Sequence, residues 1–480
     1  MWWENAVIYQ VYIRSFQDSN GDGIGDLPGV TSRLDHIARL GADAVWLSPI
    51  YRSPNDDFGY DVSDFLSVDP TLGTIADFDE LTRTAHALGL HVVLDFVPCH
   101  TSIEHPWFRE HPDYYVWADP PLNNWRATFG GPAWERDPVT GRHYLHSFYP
   151  EQADLDWRRP DVRRAMCETL CFWLERGVDG FRLDALDRLL KDPELRDDPP
   201  ASGPLALPAA DPEDALLEHT HSRNAPDITL ALQAIRDAVG GAFLTGEVYL
   251  PASQLGPYLD LLDVAFAFEV LHAIGDAPRL RMSIAGALAA GKPGWVLSNH
   301  DFSRFPNRAG LENARAATLL MLSLPGPAFM LQGDEIGLPD GRAPDPPLDR
   351  AGRDAFRTPM PWDRSAGGGF TTGIPWLPMF DPAERNVADQ DADPGSELAL
   401  HRALIALRGE LDADADARLR ESEPDTIVLD RGSHVVAVNL GEHPRAAPRV
   451  EQIVIEARAG DGAVPGVIPP HGGWSGLNIR

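Results

Sequence analysis

The feature that most constrains this chain is a repeated alternation of short apolar runs with amphipathic stretches. Eight runs read as buried strands: 6–16 (AVIYQVYIRSF), 43–50 (DAVWLSPI), 91–98 (HVVLDFVP), 180–186 (GFRLDAL), 243–249 (FLTGEVY), 264–270 (VAFAFEV), 294–300 (GWVLSNH) and 327–333 (PAFMLQG). Helical spacing falls between them. Val30, Leu34, Ile37 and Leu40 recur at three and four residues before Gly41, and 77–89, 160–177, 227–240 and 311–324 repeat the pattern. Buried strands alternating with helices point to an α/β fold, a (β/α)₈ TIM barrel, whose chemistry sits at the C-terminal ends of its strands.

Two stretches depart from the simple alternation. Residues 101–157 are too long and too aromatic for a strand-to-helix loop and read as an excursion over the site. Residues 187–226, rich in Pro and Asp, read as a second rim loop. After about residue 378 the barrel pattern stops, and DTIVLDRGSHVVAVNL (425–440) and QIVIEA (452–457) alternate as in a small β-sandwich. The expected organisation is a barrel over 1–103 and 158–378, an inserted subdomain over 104–157 after the third strand, and a C-terminal β domain over 379–480.

The chain has 480 residues, long enough for two or three domains, and 41 basic against 72 acidic residues give a net charge of −31. That charge disfavours nucleic acid or an anionic membrane as partner and leaves a neutral substrate unaffected. Cys99, Cys167 and Cys171 are the only cysteines, and the last two lie four apart on a helical pattern, where bridging is awkward. Cys167 and Cys171 are read as buried thiols, and a reducing compartment fits. No signal-peptide pattern and no run long enough to span a membrane occur, so a cytoplasmic location is expected.

The chemistry concentrates in GFRLDALD, residues 180–187. Arg182 and Asp184 are two apart and point the same way on a strand, and an arginine beside a carboxylate keeps it ionised and nucleophilic. An isolated Arg-x-Asp would be a strand-end salt bridge. Here DFVPCH (95–100), GEVY (246–249) and SNHD (298–301) end other strands. Glu247 ends the strand next to that of Asp184, so the two carboxyl groups can work as a nucleophile and a protonated acid if their surroundings push their pKa values apart. Asp301 ends the seventh strand as a further carboxylate acceptor, and His100 and His300 beside the strand ends can donate hydrogen bonds.

A separate signal is DSNGDGIGD, 18–26, in which Asp18, Asn20, Asp22 and Asp26 alternate with small residues. A tight loop of that kind turns several hard oxygens inward, as Ca²⁺ requires, although no bidentate Glu follows. An acidic solvated turn is the other reading.

Together the four strand-end segments resemble the signature segments of the α-amylase superfamily. With YDVSDF (60–65), NNWRATFGGPAW (123–134), HYLHSFYPEQADLDW (143–157) and GRDAFRTPMPW (352–362), the chain is similar to α-glucosidases of glycoside hydrolase family 13 over nearly all of 1–378. The resemblance implies Asp184 as nucleophile, Glu247 as acid/base and Asp301 as transition-state stabiliser. Asp61, His100, Arg182, His300 and Arg357 would line the sugar subsite, with Tyr60 as stacking platform. It pairs Asp61 with Arg357 to close a pocket, which makes the enzyme exo-acting on short α-glucosides. It also implies a structural Ca²⁺ or Mg²⁺ on the 18–26 loop, with the Ile24 carbonyl as a ligand, no organic cofactor, and a monomer or homodimer.

Three residues depart from the family pattern: Cys99, where Asn or Ser is usual, and Ala153 and Asp156 in QADLDW. Ala185 after the nucleophile stands where 1,6-specific members resemble one another in carrying valine, which implies a preference for α-1,4 or other non-1,6 linkages. A trehalose synthase or sucrose isomerase of the same clan would share every catalytic residue. Non-catalytic, transporter-associated members would lack the acids and carry a membrane helix.

Overall fold

The computed structural model of the protein describes residues 1–120, 122–411, 417–457 and 466–478. The expected strands form: β1 Val7–Val11, β2 Ala44–Leu47, β3 His91–Phe96, β4 Gly180–Leu183, β5 Phe243–Gly246, β6 Val264–Phe266, β7 Pro293–Val296 and β8 Ala328–Leu331. They close into a barrel in the order β1-β8-β7-β6-β5-β4-β3-β2. Every residue of β1, β2, β4, β5, β6 and β8 is buried, which is why each reads as a continuous apolar run rather than an alternating one.

The helices begin and end where local chemistry allows. In α1 (Leu27–Leu40) the Asp26 carboxylate caps the Gly29 N–H at 2.7 Å, and Gly41 closes the helix at φ 96°. The expected helices α2 (Ile75–Ala87), α3 (Pro160–Leu174), α4 (Thr229–Val239) and α6 (Ala314–Ser323) are joined, besides several of six residues or fewer, by two unforeseen helices of 14 residues, α5 (Ala277–Ala290) and α7 (Glu397–Glu410). An irregular stretch separates α7 from β8 and hid it from a periodicity argument. Leu398, Leu400, Leu404, Ile405 and Leu407 are buried, and Arg408 donates to the carbonyls of Leu322 and Leu324 at 2.8 and 2.7 Å.

The chain divides into two compact units. The first comprises Met1–Trp46, Thr84–His91 and Ala267–Arg480. Its C-terminal region is an antiparallel sheet of β9 (Ala417–Leu419), β10 (Thr426–Arg431), β11 (His434–Asn439), β12 (Val450–Ala457) and β13 (Gly472–Asn478), in the order β9-β10-β11-β13-β12. Instead of two equal layers, a two-stranded ribbon, Arg445–Ala446 with Val467–Ile468, supplies the second: Ile468 packs with Val428, Val435, Ala437 and Trp474.

The second unit comprises Leu47–Arg83 and Val92–Phe266. Its excursion after β3 holds a three-stranded sheet (Trp117–Ala118, His143–Leu145, Trp134–Arg136) around Trp125, Ala133, Trp134 and Leu145, so the aromatic residues make a small core of their own. A ladder of His100–Ser102 with Gln152–Asp154 sets His100 opposite Asp154. The later excursion is irregular and braced by buried charge. Asp198 accepts from the His221 N–H at 2.7 Å, and Arg223 donates to Asp214 at 2.7 Å.

Cys99 is buried, but Cys167 and Cys171 are half-buried rather than enclosed, with their Sγ atoms directed at the carbonyls of Ala234 and Ala238 on α4. Among the described residues no helix is long and apolar enough to cross a membrane.

Candidate active site

Arg182 on β4 organises a cluster of side chains within the second unit. It lies in register with Asp95 on β3 and Thr245 on β5. Its Nη1 donates to Asp95 Oδ1 at 2.8 Å and to Asp184 Oδ1 at 2.6 Å, and its Nη2 donates to Glu247 Oε2. Asp184 and Glu247 follow directly on the last residues of β4 and β5, and their main chains are laced together. The Glu247 N–H donates to Leu183 O, and the Leu186 N–H to Glu247 O, both at 2.9 Å. Gly246 leaves room beside them: a Cβ there would come within 2.4 Å of Leu262 Cδ1 and 2.8 Å of Leu186 Cδ1, and both side-chain ends would have to shift.

Asp95 was not singled out from sequence, although an acid in the apolar run HVVLDF must find a partner when buried. Tyr60 Oη donates to its Oδ2 at 2.9 Å. Burial pushes Asp95 up to about 6, against the opposing pull of Arg182 and Tyr60 and with Glu247 adding to the rise. Arg182 loses solvation, but three surrounding carboxylates hold it well above its ordinary value, so it remains a cation. One guanidinium serves three carboxylates, and a proton shared into this set is favoured by charge alone.

Tyr60 is buried, with the Arg182 guanidinium 5.9 Å from its ring centroid. Asp61 accepts from Ser53 Oγ at 2.7 Å and from the N–H groups of Asp56 and Asp57 at 2.8 and 3.0 Å, and burial raises it to about 6. His100 Nε2 lies 3.0 Å from both Tyr60 O and Gln152 Nε2, and Gln152 also donates to Asp57 at 3.0 Å. Burial lowers the His100 pKa, so the ring is neutral. The unexpected Cys99 meets the turn after the nucleophile: its Sγ lies 3.5 Å from Arg188 O and 3.9 Å from Lys191 Nζ. Lys191 is ion-paired with Asp154, and burial raises the thiol far above its ordinary range, so Cys99 is an inert filler.

The first unit carries Asp301, His300 and Arg357 as a second cluster. Gln10 Nε2 lies 2.8 Å from His300 Nδ1, which assigns the ring proton to Nε2, 3.3 Å from Asp301 Oδ2. The His300 ring stacks on Tyr12 with centroids 6.0 Å apart. Arg357 donates through Nε to His300 O at 2.7 Å and through Nη2 to Asp301 Oδ1 at 3.1 Å. Sequence reasoning missed Arg353, whose Nη1 donates to the same Asp301 oxygen at 3.1 Å, and Asp349 behind it. Both fall in or beside GRDAFRTPMPW, where the family resemblance drew attention to Arg357 alone. Asp61 and Arg357, paired by that resemblance, belong to the second and the first unit.

In the 18–26 loop the expected side-chain oxygens are engaged in hydrogen bonds, most of them to the loop's own N–H groups. Asp18 accepts from the N–H groups of Asn20, Gly21 and Gly23 at 2.8–2.9 Å, Asn20 from that of Asp22 and Asp22 from that of Ile24, both at 2.8 Å. Asp26 caps α1 and binds Ser19 Oγ at 2.8 Å. Carboxylate, amide and carbonyl oxygens are of the hard kind that Ca²⁺ or Mg²⁺ takes, but the Asn20 and Asp22 side chains are exposed and, among the described residues, Asp18, Asp22 and Asp26 do not converge on one point.

Comparison with known proteins converges on one family. A model of the alpha-amylase catalytic domain matches residues 10–415. A Rhizobium meliloti (strain 1021) protein named "Probable alpha-glucosidase" is 41% identical over 454 residues, covering 85% of this chain and 82% of its own. The solved alpha-glucosyl transfer enzyme XgtA superposes with a TM-score of 0.92 at 36% identity, covering 100% of this chain and 99% of that one. The trehalulose synthase MutB from Pseudomonas mesoacidophila MX-45 gives 0.89 at 30% identity, with 99% of each chain covered. A closed parallel barrel with acids at the ends of β4 and β5, and a catalytic-domain match across most of the sequence, make this chain a glycoside hydrolase of the alpha-amylase family.

Proposed function

We propose that the protein is a retaining exo-α-glucosidase that removes terminal glucose from short α-glucosides. One observation carries the reading: a single guanidinium, Arg182, holds Asp184 and Glu247 at the ends of adjacent strands. Asp184 attacks the anomeric carbon while Glu247 donates its proton to the glycosidic oxygen, and the leaving sugar departs. Glu247, now a carboxylate, takes a proton from water, which attacks the glucosyl-Asp184 ester and frees glucose. A second sugar in place of that water gives transglucosylation. Asp301 lowers the cost of charge on the ring in both steps. Tyr60, Asp61, His100, Arg182, His300 and Arg357 shape the glucose subsite.

The linkage preference we propose is α-1,4 or another non-1,6 bond. Ala185 follows the nucleophile at φ 48° and is buried, so the wall beside the leaving sugar carries a single methyl group. A structural Ca²⁺ or Mg²⁺ on the 18–26 loop, a cytoplasmic location and a monomeric or homodimeric state complete the reading. A second reading, sugar isomerisation, is favoured by the likeness to trehalulose synthase. It shares the covalent intermediate and differs in retaining both halves of the substrate.

The test is product analysis on maltose, isomaltose, sucrose and trehalose, with Asp184→Ala and Glu247→Gln alongside. Free glucose from maltose, abolished in both variants while the melting temperature holds, is the expected result. A rearranged disaccharide as main product would favour the isomerase, and near-wild-type turnover in either variant would refute the assignment of the acids.

A further inference from the structure

Asp301 is held more firmly than contact with a sugar hydroxyl demands. Arg357, His300 and Arg353 converge on its carboxylate, and of these Arg353 is secured in a distinct way. Its Nε and Nη2 form a fork on Asp349 at 2.8 and 2.9 Å, and its own N–H donates to Asp349 Oδ2 at 2.7 Å, which leaves Nη1 for Asp301. Asp349 is fixed in turn, because its N–H and that of Leu348 donate to Asp354 at 3.2 and 2.7 Å. The side chains of Asp349 and Arg353 are 1% and 7% exposed, whereas that of Asp301 is 24% exposed. The relay is therefore buried up to the one carboxylate that opens outward.

We infer that Arg353, locked by Asp349, is a positioning residue that aims the Asp301 carboxylate and keeps it ionised. The inference rests on the role given to Asp301 above. Two guanidinium donors occupy Oδ1, so the carboxylate cannot rotate about its Cβ–Cγ bond without breaking both, and Oδ2 faces the His300 N–H. A lysine would supply charge without the fork that makes this geometry unique. His300, Arg353 and Arg357 are in contact with Asp301, and Asp349 lies behind Arg353. Burial pushes Asp349 up, but the fork of Arg353 and the charge of Arg357 hold it down at about 2, so it stays an anion throughout the working range.

The experiment compares Arg353→Met, Arg353→Lys, Asp349→Asn and Asp301→Asn, using p-nitrophenyl α-glucoside from pH 4 to 8 with thermal unfolding of each variant. Arg353→Met should lower kcat about 10- to 100-fold with KM within about 3-fold, and move the acid limb of kcat/KM up by roughly half to one pH unit, since losing a neighbouring cation raises a carboxylate pKa. Arg353→Lys should restore the limb and only part of kcat. Asp349→Asn should lower kcat about 10-fold with the limb in place, because the charge remains and its aim is lost. If Arg353→Met fails to fold, the contrast between Arg353→Lys and Asp349→Asn decides. An inactive Asp301→Asn beside unchanged kcat and limb in the other variants overturns the inference. An active Asp301→Asn overturns the reading of Asp301 itself.

Discussion

Replacing Arg182 by lysine tests the centre of the site without deleting its charge. The guanidinium spreads three charge-assisted contacts over two nitrogens, to Asp95 and Asp184 from one and to Glu247 from the other. A single ammonium on a flexible stem cannot meet three carboxylates placed around a planar fork, so at least one contact is lost and the rest are loosened. Hydrogen bonds to charged groups are worth about 1.5–3 kcal/mol each, and Asp95, buried on β3, has no access to water in compensation. The expected loss of stability is therefore about 2–4 kcal/mol. Catalysis should suffer more, because Asp184 and Glu247 would no longer share one rigid donor; a fall in kcat/KM of roughly 10²- to 10⁴-fold is expected. With less support for the ionised nucleophile, the acid limb of the profile should also move upward. Steady-state kinetics from pH 4 to 8 and urea unfolding at pH 7 measure both effects. A variant within about tenfold of wild type in kcat/KM, with unchanged stability, would refute the role given to the fork.

Three further outcomes are expected. Burial raises Asp61 in the folded state from 3.8 to about 6. Folding thus tightens its proton, and its charge opposes stability by about 3 kcal/mol at most above pH 6, a cost relieved as pH falls through 6 towards 4. Asp61→Asn lacks this dependence, so its stability relative to wild type should climb between pH 4 and 6 and then level off, while activity drops; a difference that stays flat with pH would contradict the argument. Chelation with EDTA should lower the melting temperature and Ca²⁺ or Mg²⁺ should restore it, whereas immediate loss of activity with no thermal shift would rule out a structural role for the 18–26 loop. Ala185→Val should lower the maltose-to-isomaltose ratio of kcat/KM by roughly 5- to 150-fold, the worth of one or two methyl groups in a pocket. A β-branched residue at φ 48° adds strain that lowers the melting temperature but bears on both substrates alike, so the ratio remains the readout, and an unchanged ratio would dismiss the steric explanation.

The barrel was legible because six of its strands are buried along their whole length, the other two all but their first residue, and its helices keep their spacing. What escaped has physical reasons. Helix α7 returns only after a long irregular stretch, so the alternation seemed to end near residue 378, although the first strand of the C-terminal sheet begins at Ala417. The nucleophile and acid were found through their places after GFRL and LTG, but Asp95 was read as part of a strand because its partner, Arg182, is 87 residues away. Arg353 stayed hidden beside a better-known arginine, and what distinguishes it is a hydrogen-bond fork that no spacing reveals. Cys99 stood out as a departure, and only its neighbours show that the thiol fills space under a turn.

The reciprocal N–H bonds between Glu247 and the Leu183–Leu186 segment mean that the gap between nucleophile and acid is set by main chain. Side chains then act as arms of fixed length mounted on a fixed base. Shortening an arm changes reach without moving its mount, so an aspartate at position 247 would withdraw the acid by about one carbon–carbon bond and leave a void of known place and size. A pair of residues fastened this way is a ruler built into the scaffold, against which a shortened acid or a small external nucleophile such as azide can be fitted by length alone.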